Sequence, residues 1–85
     1  MSYHIEIEPP ARKAMRKLDP GVLRRVDEAI RALAGDPRPF GYAKMEGQED
    51  LFRIRVGDWR VIYAIQDRKL IVLVVRVGHR SQVYR

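Results

Sequence analysis

Arg53, Arg55 and Arg60 fall in the segment LFRIRVGDWRV, where charged and apolar residues alternate. Two residues apart on a strand puts Arg53 and Arg55 on one face, about 7 Å from each other. Gly57-Asp58 reads as a tight hairpin turn. An antiparallel return strand then brings Arg60 back toward Arg55, pointing the same way. Three guanidinium groups on one open face repel one another, a cost more readily borne where an anion visits. A guanidinium grips a phosphate through two parallel hydrogen bonds. Alternation by itself also places polar residues on a solvated strand face. Read as an exposed side chain, Arg60 is expected to be removable at a cost within about 0.5 kcal/mol. The ending GHRSQVYR adds His79, Arg80 and Tyr84. Tyr84 can stack on a base or move a proton through its hydroxyl, or it can simply pack on the sheet. His79 has an ordinary pKa suited to proton transfer, although a surface histidine at a strand end is the plainer reading.

The whole chain is built around positive charge. Its 85 residues carry 17 Lys and Arg against 11 acidic side chains, a net charge of +6. Thirteen of the 17 are Arg. Such a balance in a small domain points to a polyanionic partner, most often nucleic acid. Residues 1–42 have net +2 and residues 43–85 net +4, so the C-terminal half is where the charge concentrates. Hydrophobic residues make up 46% of the chain, which argues against intrinsic disorder. There is no cysteine, and His4 and His79 are the only histidines. That removes disulfide scaffolds, thiol catalysis and Cys-based zinc sites, and it speaks against a histidine-rich metal centre. No cofactor is expected. No apolar run approaches the ~20 residues of a membrane helix. The polar, acidic start MSYHIEIEPP does not read as a signal peptide, so a cytoplasmic protein is expected.

One domain spanning residues 1–85 must position these groups. Tyr3, Ile5 and Ile7 alternate with polar residues, which predicts a half-buried strand over 2–8. Pro9-Pro10 ends it and opens a helix, in which Ala11, Ala14, Met15 and Leu18 recur at helical spacing. Asp19-Pro20 reads as N-cap and first residue of a second helix, with Val22, Leu23, Val26, Ile30, Leu33 and Ala34 as its stripe and Gly35 as its C-terminal cap. DPRPFGY is a Pro/Gly loop, and a short strand is expected at 43–46. Strands follow over 51–56 and 59–66. LIVLVVRV, residues 70–77, is apolar on both faces, as a strand deep in a sheet should be. The expected fold is α+β: a strand, an αα-hairpin, then an antiparallel meander (β-α-α-β-β-β) with the helix pair on one face.

LFRIRVGDWRVIYAI followed by LIVLVVRVGHRSQVYR resembles the C-terminal half of the RelE/ParE toxin superfamily, on its RelE side. The β-α-α start and the DPRPFGYAKMEG connection are similar to the same family, so the likeness runs from Tyr3 to Tyr84. The resemblance implies a small toxin of a type II toxin–antitoxin pair with a RelE-like microbial RNase fold. It implies an enzyme that enters the ribosomal A site and cuts mRNA without a metal, by attack of a ribose 2′-OH on the adjacent phosphate. Matched by motif, Arg53 and Arg55 take the paired basic positions of the first hairpin strand, and Arg60 the basic position opening the return strand. Arg80 and Tyr84 take the Arg and Tyr of the ending. The implied partners are a cognate antitoxin, the ribosome with its mRNA, and operator DNA for the toxin–antitoxin complex; no membrane is involved.

Such a reaction needs a base, an acid and stabilisation of a phosphorane. Arg55 and Arg60 are the expected phosphate ligands, and Arg80 the group facing the leaving 5′-oxygen. Arg53, His79 and Arg80 are expected to contact RNA. Some relatives carry lysine where Arg53 and Arg55 stand here. Lysine can lose its proton when buried among like charges; arginine keeps its own. A base role therefore falls to Tyr84 or His79. Two other readings stay open: a ParE-like gyrase inhibitor without catalysis, and a catalytically degenerate binding module.

Overall fold

The computed structural model describes residues 2–48 and 50–83. The first strand, β1 (His4–Ile7), alternates exposed and half-buried residues. Pro9 and Pro10 then supply the first turn of α1 (Pro9–Arg16), where the missing N–H groups cost nothing. A second helix, α2 (Pro20–Ala32), starts the same way on Pro20. Asp19 holds the N-cap position, but its carboxylate makes no capping hydrogen bond. The helix does not run to Gly35: it ends at Ala32, and the N–H groups of Leu33, Ala34 and Gly35 each bond to the carbonyl three residues back. Then come β2 (Ala43–Lys44), β3 (Phe52–Val56), β4 (Trp59–Gln66), β5 (Ile71–His79) and a final turn of helix, α3 (Arg80–Val83).

The five strands form one sheet in the order β1-β5-β4-β3-β2. The expected antiparallel meander is present in β2 to β5. The N-terminal strand adds to it in parallel beside β5, pairing His4 with Ile71 and Ile7 with Val74. This makes β5 an interior strand and explains why its sequence is apolar on both faces. The helix pair covers one face, as the amphipathic stripes require. Ala11, Met15, Val26, Ile30 and Leu33 meet Ile54, Val61, Tyr63, Val72, Val74 and Val77 in a single core.

Two polar devices lock the frame. Tyr63 is fully buried and donates its hydroxyl to the Pro37 carbonyl at 2.8 Å, which ties the loop after α2 to the sheet. Burial pushes its pKa from 10 up to about 12. At the β4–β5 turn, Arg38 and Tyr3 both donate to the Asp67 carboxylate, joining that turn to the N-terminal segment and to the loop.

One irregularity shapes the sheet. Ile62 lies opposite Arg76, and Tyr63 lies opposite Val74, which leaves Val75 as an extra residue in β5. Above the bulge Val77 faces the helices; below it Val74 and Val72 do. The extra residue reverses which parity of β5 points inward. No described helix is long and apolar enough to cross a membrane.

Candidate nucleic-acid interface

The sheet face turned away from the helices carries the basic residues, because the other face is committed to the core. Gly57 takes φ of 62° at the first turn position, which an L side chain rarely adopts, and the hairpin closes in two residues. That tight closure sets Arg55 directly opposite Arg60, and Arg53 opposite Ile62. On its other side, β4 sets Arg60 against Gly78 and Ile62 against Arg76. Two rows therefore cross the sheet: Arg55, Arg60, Gly78, and Arg53, Ile62, Arg76. Adjacent strands lie about 4.8 Å apart, so the rows concentrate four guanidinium groups on a patch three strands wide.

Arg60 is not the exposed side chain that alternation suggests. Only 6% of it is accessible, and its Nη1 donates to the Trp59 carbonyl at 3.4 Å. Gly78 beside it has no side chain to occupy this face, and α3 packs back on both β4 and β5. The return of α3 is fixed at its start, where the Arg80 N–H donates to the Asp58 carbonyl at 2.9 Å across the hairpin tip. The expectation that Arg60 can be removed at little cost fails for this reason: its aliphatic stem and guanidinium are part of the packing.

Arg55, Arg76 and Arg80 are exposed and Arg53 is half-buried. No carboxylate among the described residues comes within 4.0 Å of these four. His79 does not join them. It pairs with Trp59, on the helix-side face, and its ring meets the indole edge-on at 5.4 Å. Its Nδ1 faces the Ser81 hydroxyl at 3.1 Å and accepts weakly from the Ser81 N–H at 3.4 Å, so it caps the last turn of helix. The structure places His79 in this local role, on the face opposite the arginine rows. Tyr84 lies outside the described residues. Arg76 is the basic residue that sequence reasoning missed. The signal was there, as the lone charge in LIVLVVRV, but alternation within an all-apolar strand does not say which face it takes.

Among the described residues there is no group of three or more His, Asp or Glu side chains placed to hold a metal ion. The arrangement can grip a phosphodiester and stabilise added negative charge on it.

Comparison with known proteins follows the same line. The family model described as "ParE toxin of type II toxin-antitoxin system, parDE" matches residues 5–84. Toxin RelG of Mycobacterium tuberculosis (strain H37Rv) is 33% identical over 86 residues, covering 100% of this chain and 99% of the relative. The mRNA interferase toxin RelE of Escherichia coli K12 is 30% identical over 88 residues, covering 99% of this chain and 92% of its own length. The toxin fold of the archaeal RelE–RelB complex from Pyrococcus horikoshii OT3 superposes with a TM-score of 0.83 at 31% identity, over 98% of this chain and 100% of that one.

Proposed function

The chain belongs to the RelE/ParE toxin family of type II toxin–antitoxin systems, and on that footing we propose that it is a ribosome-dependent mRNA endoribonuclease. The observation that carries this reading is the pair of rows on the open sheet face, with Arg53, Arg55, Arg76 and Arg80 free of carboxylates among the described residues. The names of the E. coli relatives as mRNA interferases support it. In the proposed reaction the 2′-oxygen attacks the adjacent phosphorus, the bond to the 5′-oxygen breaks, and a 2′,3′-cyclic phosphate and a free 5′-hydroxyl result. The phosphorane between them carries extra negative charge. Arg55 holds its equatorial oxygens, and the buried Arg60 opposite it adds a second permanent positive charge beneath the same place, which together make the largest electrostatic contribution available here. Arg80, at the hairpin tip, faces the leaving oxygen. With His79 on the other face, the 2′-OH proton is assigned to pass through the Tyr84 hydroxyl to water, and the leaving 5′-oxygen, hydrogen-bonded by Arg80, takes one proton back from water to become the 5′-hydroxyl.

The basic face is solvent-exposed at Arg55, Arg76 and Arg80, and orientation of the RNA is assigned to a source outside the chain. Orientation is worth several kcal/mol of a barrier, and the ribosomal A site is the source we assign. The acting compartment is then the cytoplasm. A small acidic antitoxin would mask the basic face, as RelB accompanies RelE in the archaeal complex, and the pair would bind operator DNA. The test is primer-extension mapping of mRNA after induction, repeated with purified programmed ribosomes. Cuts in codon register on translated messages, absent without ribosomes, are expected. Equal cutting of naked RNA would remove the ribosome from the reading. Trapped gyrase–DNA complexes without mRNA cuts would replace it with the ParE-like alternative.

A further inference from the structure

Beside the arginine rows lies a second feature on the same sheet face. Ile62 points away from the helices, yet it is only 4% exposed. With Val75 of the bulge it floors a small groove of about 290 Å³. Met45 and Leu51 form one wall; Glu8, Gln48 and Arg76 stand at the rim. The three rim side chains have no hydrogen-bond or ion-pair partner among the described residues. An apolar floor ringed by a few unused polar groups is the ordinary make-up of a ligand site, and this volume is just below the range of drug-sized pockets, on the scale of a single planar ring system.

We propose that this groove binds one unpaired nucleobase of the RNA, next to the phosphate held by Arg55 and Arg60. The inference rests on the endoribonuclease reading above and adds a specificity site to it. Ile62 is two residues along β4 from Arg60, on the same face, so the groove starts about 7 Å from the phosphate position. That is the scale of one nucleotide step. The rim matches a base edge in kind: Arg76 donates, Glu8 accepts, and Gln48 does both. Glu8 also excludes the alternatives of its own sign, since a phosphate or an acidic side chain would meet a carboxylate there. Single-stranded RNA is read in this way, by splayed bases seated on side chains and bonded at their edges.

The test is equilibrium binding of the full chain, at low salt, to short single-stranded RNAs with a 2′-O-methyl block and an abasic ribose scanned position by position. One position is expected to weaken binding roughly tenfold or more in the parent protein. That penalty should shrink toward nothing in Glu8→Ala and Arg76→Ala. Both changes are compatible with folding, because the Glu8 side chain makes no cap bond and Arg76 is exposed. Arg68→Ala, the same charge loss at the remote β4–β5 turn, should keep the penalty. The absence of any position-specific penalty, or a penalty unchanged in the rim variants, overturns the pocket. Rim variants that lose an acidic protein partner while keeping the base penalty overturn it too, in favour of a docking surface. Cleavage is scored separately: a base penalty without mRNA cutting keeps the pocket and sinks the nuclease reading, and cutting without a base penalty does the reverse.

Discussion

At the turn end of the sheet, Arg38 donates to both oxygens of Asp67, at 3.3 and 2.8 Å, and Tyr3 adds a hydrogen bond of 2.6 Å. At the hairpin end, Arg55 lies opposite Arg60, and Arg53, Arg55, Arg76 and Arg80 have no carboxylate within 4.0 Å among the described residues. The same residue type is thus used in two opposite ways within one small sheet. A guanidinium matched by a fork-shaped acceptor closes the structure on itself. Arg53, Arg55, Arg76 and Arg80, with no carboxylate of that kind beside them among the described residues, keep their hydrogen-bonding capacity for something brought from outside, and the fold bears the repulsion. The difference separates architecture from function more sharply than charge alone.

The strongest way to break that contrast is to match the hairpin end as well. Arg55→Glu places a carboxylate opposite Arg60. Fold stability should hold or rise by about 0.2–1 kcal/mol, the range for an opposite-charge cross-strand pair. Cleavage on programmed ribosomes should fall by at least about 10³-fold, since a phosphate ligand is lost and a repelling charge gained. Thermal unfolding alongside single-turnover cleavage checks both. A variant that is more stable and equally active would show that the repulsion serves nothing.

Arg60→Ala is the next largest. Cleavage should drop roughly 10²–10³-fold, as for other lost oxyanion donors. Because Arg60 is buried, the fold should also lose about 1–3 kcal/mol, more than an exposed position would. Arg60→Lys should recover most of the stability and only part of the rate, because a point charge replaces a fork. If both variants cleave at the parent rate, the site lies elsewhere.

Tyr63→Phe acts on the frame instead. It leaves the Pro37 carbonyl unpartnered, which costs about 1–3 kcal/mol. It should also change the alkaline limb of the stability curve. Folding raises the Tyr63 pKa from 10 to about 12, so the folded state retains a proton that the unfolded chain gives up. Its contribution is complete below pH 10 and is lost between there and about pH 12. Chemical unfolding across that window should show a decline in the parent that is smaller in Tyr63→Phe, where, among the described residues, only the raised Tyr3 still contributes in the same sense.

The smallest effect belongs to the matched end. Arg38, then Tyr3, hold the Asp67 carboxyl below its usual range. A carboxylate with a lowered folded pKa contributes above its unfolded value, near 3.9, and the contribution is lost as pH falls through the folded one. Both partners are solvent-exposed, so Arg38→Ala should shift the melting temperature only slightly, and the shift should vanish in acid. Cleavage should be untouched. A large loss of cleavage would mean that the turn end, too, takes part in function.

Much of this was written locally. The amphipathic stripes of α1 and α2, the Gly57-Asp58 turn and the common face of Arg53 and Arg55 follow from periods of 3.6 and 2, which each segment carries in itself. The alternation Trp59, Arg60, Val61 likewise assigns Arg60 to the face away from the core. Burial of Arg60 was not legible, because it depends on Gly78, eighteen residues on, being the residue that pairs with it. The face taken by Arg76 was hidden for a related reason. Ile71 to Val75 are all apolar, so a one-residue bulge leaves no trace in the pattern, although it reverses the inward parity of the strand. Nor does any local signal place β1 beside β5, since that pairing joins the two ends of the sequence. Sequence periodicity determines which way a side chain points within its own strand; only the pairing of distant strands decides what stands next to it, and in this protein that neighbour makes one arginine part of the packing and leaves another open to a ligand.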